Sequence, residues 1–452
     1  MKKNIGQNSR RVFIKNTLLS SAAITVGSAL PAFSAGSYRR IIGSNERFNV
    51  GVMGVNSRGL ALATTFAKQS NCHVRYISDV DSRAAEKCIA TISEIQGFKP
   101  QSRPDFRNAL KEKDLDILIV ATPDHWHAPA ALLALQAGKH VYLEKPCSHS
   151  PSEGEMLIAA QKKYGKLIQM GNQRRSFPNV VAGIRELHDG IIGKPYFART
   201  WYANSRKPIG TGKITAVPSW LNYDLWQGPA PRRSFKDNLI HYNWHWFWHW
   251  GTGEALNNGT HMVDLARWGM QVDYPTKVTS TGGRYFFNDD WETPDTQVIG
   301  LEFGNNGSIT WEGRSANGRK TEGEAVGVTF FGEKGSLQIG GGNGYEVYSL
   351  DNKLIKEVKP DSKIDSTNLA NPAGLLDGHH VQNMFNAIKG TEKLRSDIAS
   401  GHISTLLVQL GNIAQRTSGT LNTNPNNGRI IGNSKAMQLW SRTYQKGWEP
   451  RI

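Results

Sequence analysis

The chain has 452 residues, enough for two domains with ordinary cores, and no run of 18 or more apolar residues, so nothing in its mature form is expected to span a membrane. With 20% charged and 38% hydrophobic residues the composition is globular. The net charge of +16 comes from Lys and Arg spread along the chain without a dense run, which favours solvated surface and attraction of anionic small molecules over nucleic-acid binding.

At the N-terminus, Ser9-Arg10-Arg11-Val12-Phe13-Ile14-Lys15 matches the bacterial twin-arginine export pattern. A short apolar segment, Leu18 to Ala32, follows and ends in small residues near Ala35. Residues 1–35 are therefore expected to be a twin-arginine signal peptide, residues 36–46 an N-terminal arm, and the mature protein periplasmic or otherwise exported. No cysteine follows the apolar segment, which argues against a lipid anchor. The three cysteines, Cys72, Cys88 and Cys147, are odd in number and show no CxxC spacing, so free thiols are expected.

From Phe48 a buried strand runs into Gly54-Val55-Asn56-Ser57-Arg58-Gly59, followed by a helical pattern from Leu60 to Lys68. Aligned on G-x-G-x-x-G this is G-x-N-x-x-G, with Asn56 in place of the middle glycine. Gly54 permits the tight turn, Gly59 lets helix and strand pack closely, and a pyrophosphate would rest on the free N–H groups at the helix start. A second strand, His73 to Ser78, ends at Asp79, 20 positions after Gly59, where an acidic residue bonds ribose hydroxyls. A carboxylate there repels a 2′-phosphate and favours NAD, while Arg58 and Arg83 nearby leave NADP open; the plainer reading of Asp79 is a helix cap.

The alternation continues with a strand over Leu115 to Ala121, a helix over Asp124 to Gly138, and a strand over Lys139 to Leu143 ending at Glu144-Lys145-Pro146. Repeated strand–helix units predict a parallel sheet with ligands at the carboxyl ends of its strands. Thr122-Pro123-Asp124-His125-Trp126-His127 and Glu144-Lys145-Pro146 both fall at such ends, although Asp124, His125 and His127 could equally be helix caps. Pro218 to Pro231 reads as a proline- and aromatic-rich loop that covers the site or meets a neighbour. In residues 241–250, Trp244, Trp246, Trp248 and Trp250 alternate and would share one face of an extended segment, as a sugar-stacking surface or as sheet core. His241, His245 and His249, four apart, would suit a metal only on a helix, which this Trp-rich run is not expected to form, so no metal site is expected. Strands follow from Lys277 to Val358, with Gly340 to Gly344 as a plain turn, and from about Gly378 the chain reads as helical, packing back on the first domain.

The glycine turn, Thr122-Pro123 with His127, Glu144-Lys145-Pro146, Gly171-Asn172-Gln173, Gly259-Thr260-His261-Met262-Val263-Asp264, and the runs His380 to Asn383 and Asp397 to Arg416 together resemble the Gfo/Idh/MocA oxidoreductase family, in its exported bacterial branch, over essentially the whole mature chain. The resemblance implies an α/β Rossmann domain (residues 47–171) plus an α+β domain with a large open, mostly antiparallel sheet (172–377) and a C-terminal segment (378–452). It implies NAD or NADP as cofactor, a sugar or polyol-like substrate, and a homo-oligomer formed through the second-domain sheet. The cofactor residues would be Gly54, Asn56, Ser57, Arg58, Gly59, Asp79, Thr122, Pro123, His127, Glu144, Lys145 and Asn172. Gln173, Arg174, Trp248, Asn257 and His261 would meet the substrate.

In the family the lysine contacts the reacting hydroxyl and the later histidine moves its proton, usually beside an aspartate four positions earlier. Here that position is Asn257, which is no carboxylate base and leaves the proton to His261 or Lys145. Histidine titrates near neutrality without perturbation, so His261 is the expected base and Lys145 the cationic anchor, with Asn257 and Asn172 as orienters. The bland alternative for His261 is a core histidine on a helix whose buried face is Met262, Leu265 and Trp268. Three functions remain open: a dehydrogenase or redox-neutral oxidoreductase, an NAD-dependent glycosidase that oxidises, eliminates, hydrates and reduces, and a sugar-binding relative without catalysis.

Overall fold

The computed structural model describes residues 47–360, 376–417 and 419–452; the twin-arginine pattern, the signal segment and the whole arm lie outside the described residues. The first domain is wound on six parallel strands: β1 (Phe48–Met53), β2 (Cys72–Ser78), β3 (Gln101–Ser102), β4 (Ile117–Val120), β5 (His140–Leu143) and β6 (Ile168–Met170), in the order β3-β2-β1-β4-β5-β6. Val50, Val52, Ile117, Leu118, Ile119 and Val120 are fully buried, as strands covered by helices on both faces require. The covering helices are α1 (Arg58–Ala67), α2 (Ser82–Gln96), α3 (Phe106–Leu110), α4 (Asp124–Gln136) and α5 (Pro151–Tyr164). Because strand order reverses between β1 and β4, a crevice opens at their carboxyl ends.

The second domain carries a ten-stranded sheet whose central strand, β7 (Pro195–Ala203), precedes by far the strands expected from Lys277 onward. Beside it lie β8 (Lys277–Gly283), β9 (Thr296–Glu302), β10 (Ser308–Arg314), β11 (Val326–Gly332), β12 (Gly335–Ile339), β13 (Tyr345–Ser349) and β14 (Leu354–Val358). Only β7 and β10 pair in parallel; the other pairings are antiparallel. One face is closed by α6 (Pro178–His188) and by a later helix over Thr260–Met270, whose Leu265 and Met262 sit with Phe330, Trp311 and Ile184 in one core.

The C-terminal segment departs from the helical expectation. A helix over Asp377–Ile388 does pack on the first domain, with Phe385 stacked on Phe48 at 4.7 Å. A second helix, Ile398–Arg416, crosses to the other domain, where its Leu406 and Leu410 join the core. The chain then returns to extended backbone as β15 (Thr420–Thr423) and β16 (Ile430–Ile431), which lengthen the second sheet beyond β8. The last residues reach back, placing Trp448 edge-on to Trp126 at 5.1 Å. All three cysteines are buried free thiols, and among the described residues no helix is long and apolar enough to cross a membrane.

Candidate active site

The crevice is built on the glycine turn. Gly54 has φ +81, and a Cβ there would come within 2.7 Å of the Ala121 carbonyl oxygen. A Cβ on Gly59 would lie 1.7 Å from the Gly54 carbonyl oxygen, so the close strand–helix approach demands glycine at both positions. Ser57 caps α1 without a side-chain bond, and the first turn holds no acid, so the opening N–H groups and the positive helix end face the crevice. Asp79 accepts from Val55 N–H at 2.6 Å and Asp81 N–H at 2.9 Å, tying the end of β2 to the turn. Burial, countered by those two bonds, leaves its pKa raised. Arg83, which left NADP open, is committed to Asp81 and lies over the Trp220 ring at 3.4 Å.

Arg58 lines the crevice but points its guanidinium at Glu144 (2.8 Å) and Asp377 (2.6 Å). Burial opposes the Glu144 charge, but Arg58 and Lys145 outweigh it and hold the carboxyl below its usual range. His127 has Nδ1 2.6 Å from the Pro146 carbonyl and Nε2 2.8 Å from the Thr122 carbonyl, so it braces the two turns that carry Thr122-Pro123 and Glu144-Lys145-Pro146.

Lys145 Nζ donates to the Asn257 carbonyl at 2.6 Å and reaches Asn257 Oδ1 at 3.3 Å. Asn257 lies on a π-helical turn, Ala255–Gly259, that runs into α8 (Thr260–Met270, numbering the five-residue helix Tyr223–Gln227 as α7), which carries His261. Such single π turns recur at functional sites. Lys145, Asn257 and His261 thus line one wall of the same crevice as the glycine turn. Burial, partly offset by Glu144 and Asp124, lowers the Lys145 pKa from 10.5; burial and then Lys145 push His261 well below 6.5, leaving a neutral imidazole.

Of the buried polar atoms without a partner, Thr122 Oγ1, Gln173 Oε1 and His261 Nδ1 belong to residues lining this crevice, and Asn172, next to Gln173 in the chain, leaves both amide atoms unpaired. Buried polar groups are normally satisfied, so a polar ligand here would supply missing partners. The turn would hold the pyrophosphate, Asp79 the ribose, and the Thr122 and Glu144 side the nicotinamide half, which suits a dinucleotide.

Several expected contacts are not made. Arg174 turns away and donates to the Gly341 and Gly342 carbonyls at 2.7 and 3.0 Å, so it pins the β12–β13 turn instead of facing the crevice. Trp248 lies off the crevice under Arg416, 4.6 Å from its ring centre. The four alternating tryptophans share no face, because Asn243–Trp246 coils into a 3₁₀ turn: Trp244 lines the crevice, Trp246 stacks on Trp291 at 3.9 Å, and Trp250 meets Trp226 at 5.5 Å. Asn172 and Gly59 shape the crevice from behind without lining it. His241, His245 and His249 diverge to Asp81, the Trp244 ring and the Pro231 carbonyl.

Sequence reasoning missed Tyr242 and undervalued Asp124. Tyr242, at φ +78, lines the crevice and accepts from Asn257 Nδ2 at 3.4 Å, with Arg206 over its ring at 5.4 Å. Its only sequence signal was the aromatic run it sits in. Asp124 accepts from Thr252 Oγ1 at 2.5 Å, and burial raises its pKa. Tyr242→Phe removes the acceptor that orients the Asn257 amide. It is expected to lower turnover about threefold to tenfold, the worth of one hydrogen bond, without changing dinucleotide affinity; a kcat and Kd pair measured on the variant checks this.

A Rossmann crevice facing a lysine and a histidine defines a nicotinamide-dinucleotide oxidoreductase. Residues 48–172 match the model described as oxidoreductase family, NAD-binding Rossmann fold, and residues 184–338 match the GFO/IDH/MocA C-terminal domain. The chain belongs to the Gfo/Idh/MocA family, and its first domain is an NAD-binding Rossmann domain. It is 26% identical over 253 residues to a glycosyl hydrolase family 109 protein of Saccharopolyspora erythraea, covering 51% of this chain and 55% of that one. It is 30% identical over 171 residues to an inositol 2-dehydrogenase of Rubrobacter xylanophilus, covering 36% and 46%. The chain thus spans about half the length of the curated relatives it matches. A levoglucosan dehydrogenase solved with NADH and levoglucosan shares the fold at TM-score 0.63 and 17% identity, over 83% of this chain and 99% of that one.

Proposed function

We propose that the protein is an exported NAD-dependent oxidoreductase that acts on a hydroxyl of a sugar or sugar derivative, with a tightly held cofactor recycled in place. The observation that carries this is the placing of Lys145 Nζ on Asn257, beside the neutral His261, across the crevice from the glycine turn. An NAD held by the glycine turn and Asp79 would supply hydride acceptance and return. The residues do the rest: Lys145 stabilises negative charge developing on the substrate oxygen, the neutral His261 imidazole takes the hydroxyl proton, and Asn257 and Gln173 orient the sugar.

Export, read from Ser9 to Lys15, would carry the protein where free NAD is scarce. At an association rate of roughly 10⁶ M⁻¹s⁻¹ a ~1 nM complex empties in about a quarter of an hour, so retention needs a trapped cofactor. A homo-oligomer through the second sheet fits its uncovered face, where Phe197 stacks on Phe331 at 5.5 Å and Val298 is exposed. The glycosyl hydrolase family 109 relative favours a second reading, a redox-neutral glycosidase using the same pair. One assay separates them: protein with bound cofactor, given sugars and aryl glycosides, accumulates NADH from a free sugar in the first case and releases aglycone without net NADH in the second. No turnover in either assay and no NADH signal would refute both.

The pH profile follows from the two shifts. His261 must be unprotonated, and its depressed pKa keeps it so down to below pH 6.5; Lys145 must be protonated, and its lowered pKa brings its loss below pH 10.5. The expected kcat/KM profile is a bell with its acid limb below pH 6.5 and its alkaline limb below pH 10.5, and an acid limb above 6.5 would assign the base elsewhere.

A further inference from the structure

Residues 204–251 of the second domain form a strap that leaves β7 and crosses onto the first domain before the π-helical turn. Leu221, Tyr223, Trp226, Phe235, Leu239, Phe247 and Trp250 give it a small core of its own, against which Val80 packs. It is fastened at two places. Next to β2, Trp220 carbonyl accepts from Ser82 N–H at 3.0 Å and Asn222 N–H donates to the Val80 carbonyl at 2.9 Å. There too, His241 Nε2 lies 2.8 Å from Asp81 Oδ2, and Trp220 lies under Arg83. At the start of α4, His125 N–H donates to the Trp250 carbonyl at 3.1 Å, and Trp126 Nε1 donates to the Trp226 carbonyl at 2.9 Å. Gly228 is pressed so close to the Trp126 indole that no side chain fits between them.

Beyond Asp79, on the side away from the catalytic pair, the crevice becomes apolar: Val80, Pro104 and Phe106 come from the first domain, Leu225 and Trp226 from the strap. With the pyrophosphate on α1 and a ribose on Asp79, this box lies where the adenine ring of a dinucleotide must go. We propose that Leu225 and Trp226 are the second wall of the adenine site, so that the dinucleotide is enclosed by both domains and leaves only when the strap unfastens from Asp81, Ser82 and Arg83. The proposal rests on the crevice being the NAD site and gives a physical cause for the retention that an exported enzyme needs.

The test is cofactor exchange in the mature full-length protein. Protein loaded with NADH is mixed with excess NAD⁺ and the loss of bound-NADH fluorescence is followed, for the wild type, Trp220→Ala and Arg83→Ala. Trp220 is partly exposed and outside the crevice, and a thermal melt of each variant verifies folding. The expected result is slow exchange in the wild type and exchange faster by roughly tenfold or more in each variant, with most of the affinity change in the off-rate. Variant rates within about twofold of a slow or fast wild type overturn the strap's role while leaving NAD in its crevice. A wild type that takes up no NADH overturns the cofactor reading and the inference together.

Discussion

Lys145→Met lowers kcat by about 10²–10³, equivalent to about 2.7–4 kcal/mol of transition-state stabilisation. Methionine keeps the length and volume of the side chain, so the crevice does not collapse. What disappears is the one ammonium that the Asn257 carbonyl and Oδ1 hold in the crevice wall, 2.6 and 3.3 Å away. The lost hydrogen bond leaves a carbonyl unpaired and costs about 1–3 kcal/mol of stability, a separate effect visible as a lower melting temperature. Single-turnover reduction of the bound cofactor isolates the chemical step, and dinucleotide affinity, set mainly by the glycine turn, is expected to change little. Turnover within about threefold of wild type would remove Lys145 from the chemistry.

Gly59→Ala abolishes dinucleotide binding. The added methyl would sit 1.7 Å from the Gly54 carbonyl oxygen, which belongs to rigid backbone, so α1 must move away from β1. That shift pulls the opening N–H groups off the pyrophosphate position, and affinity falls by more than about 10²-fold; overpacking of this kind also costs about 1–3 kcal/mol of stability. Lys68→Ala is the matched control: Lys68 is the exposed C-cap of α1 and lies outside the crevice, so this change on the same helix leaves affinity nearly intact. Calorimetric titration with NAD⁺ on the folded variants distinguishes the two.

The effect at Gly59 was foreseeable from sequence because the dinucleotide turn is local. A turn needing positive φ at Gly54, and an acidic residue at the end of the next strand, leave a fixed spacing that can be read directly. The parallel strands were legible for the same reason: Ile117 to Val120 is an unbroken apolar run because both its faces are buried. The lysine and histidine, 116 positions apart in the chain, were brought to one site only through the family resemblance.

What sequence concealed depends on chain direction and on distant partners. The tryptophan alternation from 244 to 250 has the two-residue period of a strand, yet Asn243–Trp246 coils, and each of the four indoles finds a different neighbour: the His245 ring, Trp291, the Arg416 guanidinium and Trp226. Arg174 beside Gln173 looked like a substrate group, but the Gly341 and Gly342 carbonyls, far along the chain, take its guanidinium inside the fold. β15 and β16 were missed because two short strands after a long helix carry little periodicity; they exist because β8 offers an open sheet edge. Tyr242 gave no signal of its own, since its role comes from the Asn257 amide it meets across the crevice.

A crystal structure of the protein grown with saturating NAD⁺ addresses the central claim directly. The pyrophosphate should lie against the amides that open α1 after Ser57, with the ribose on Asp79 and the nicotinamide ring between Lys145, Asn257 and His261. A dinucleotide bound elsewhere, or a crevice still empty at saturation, would contradict it.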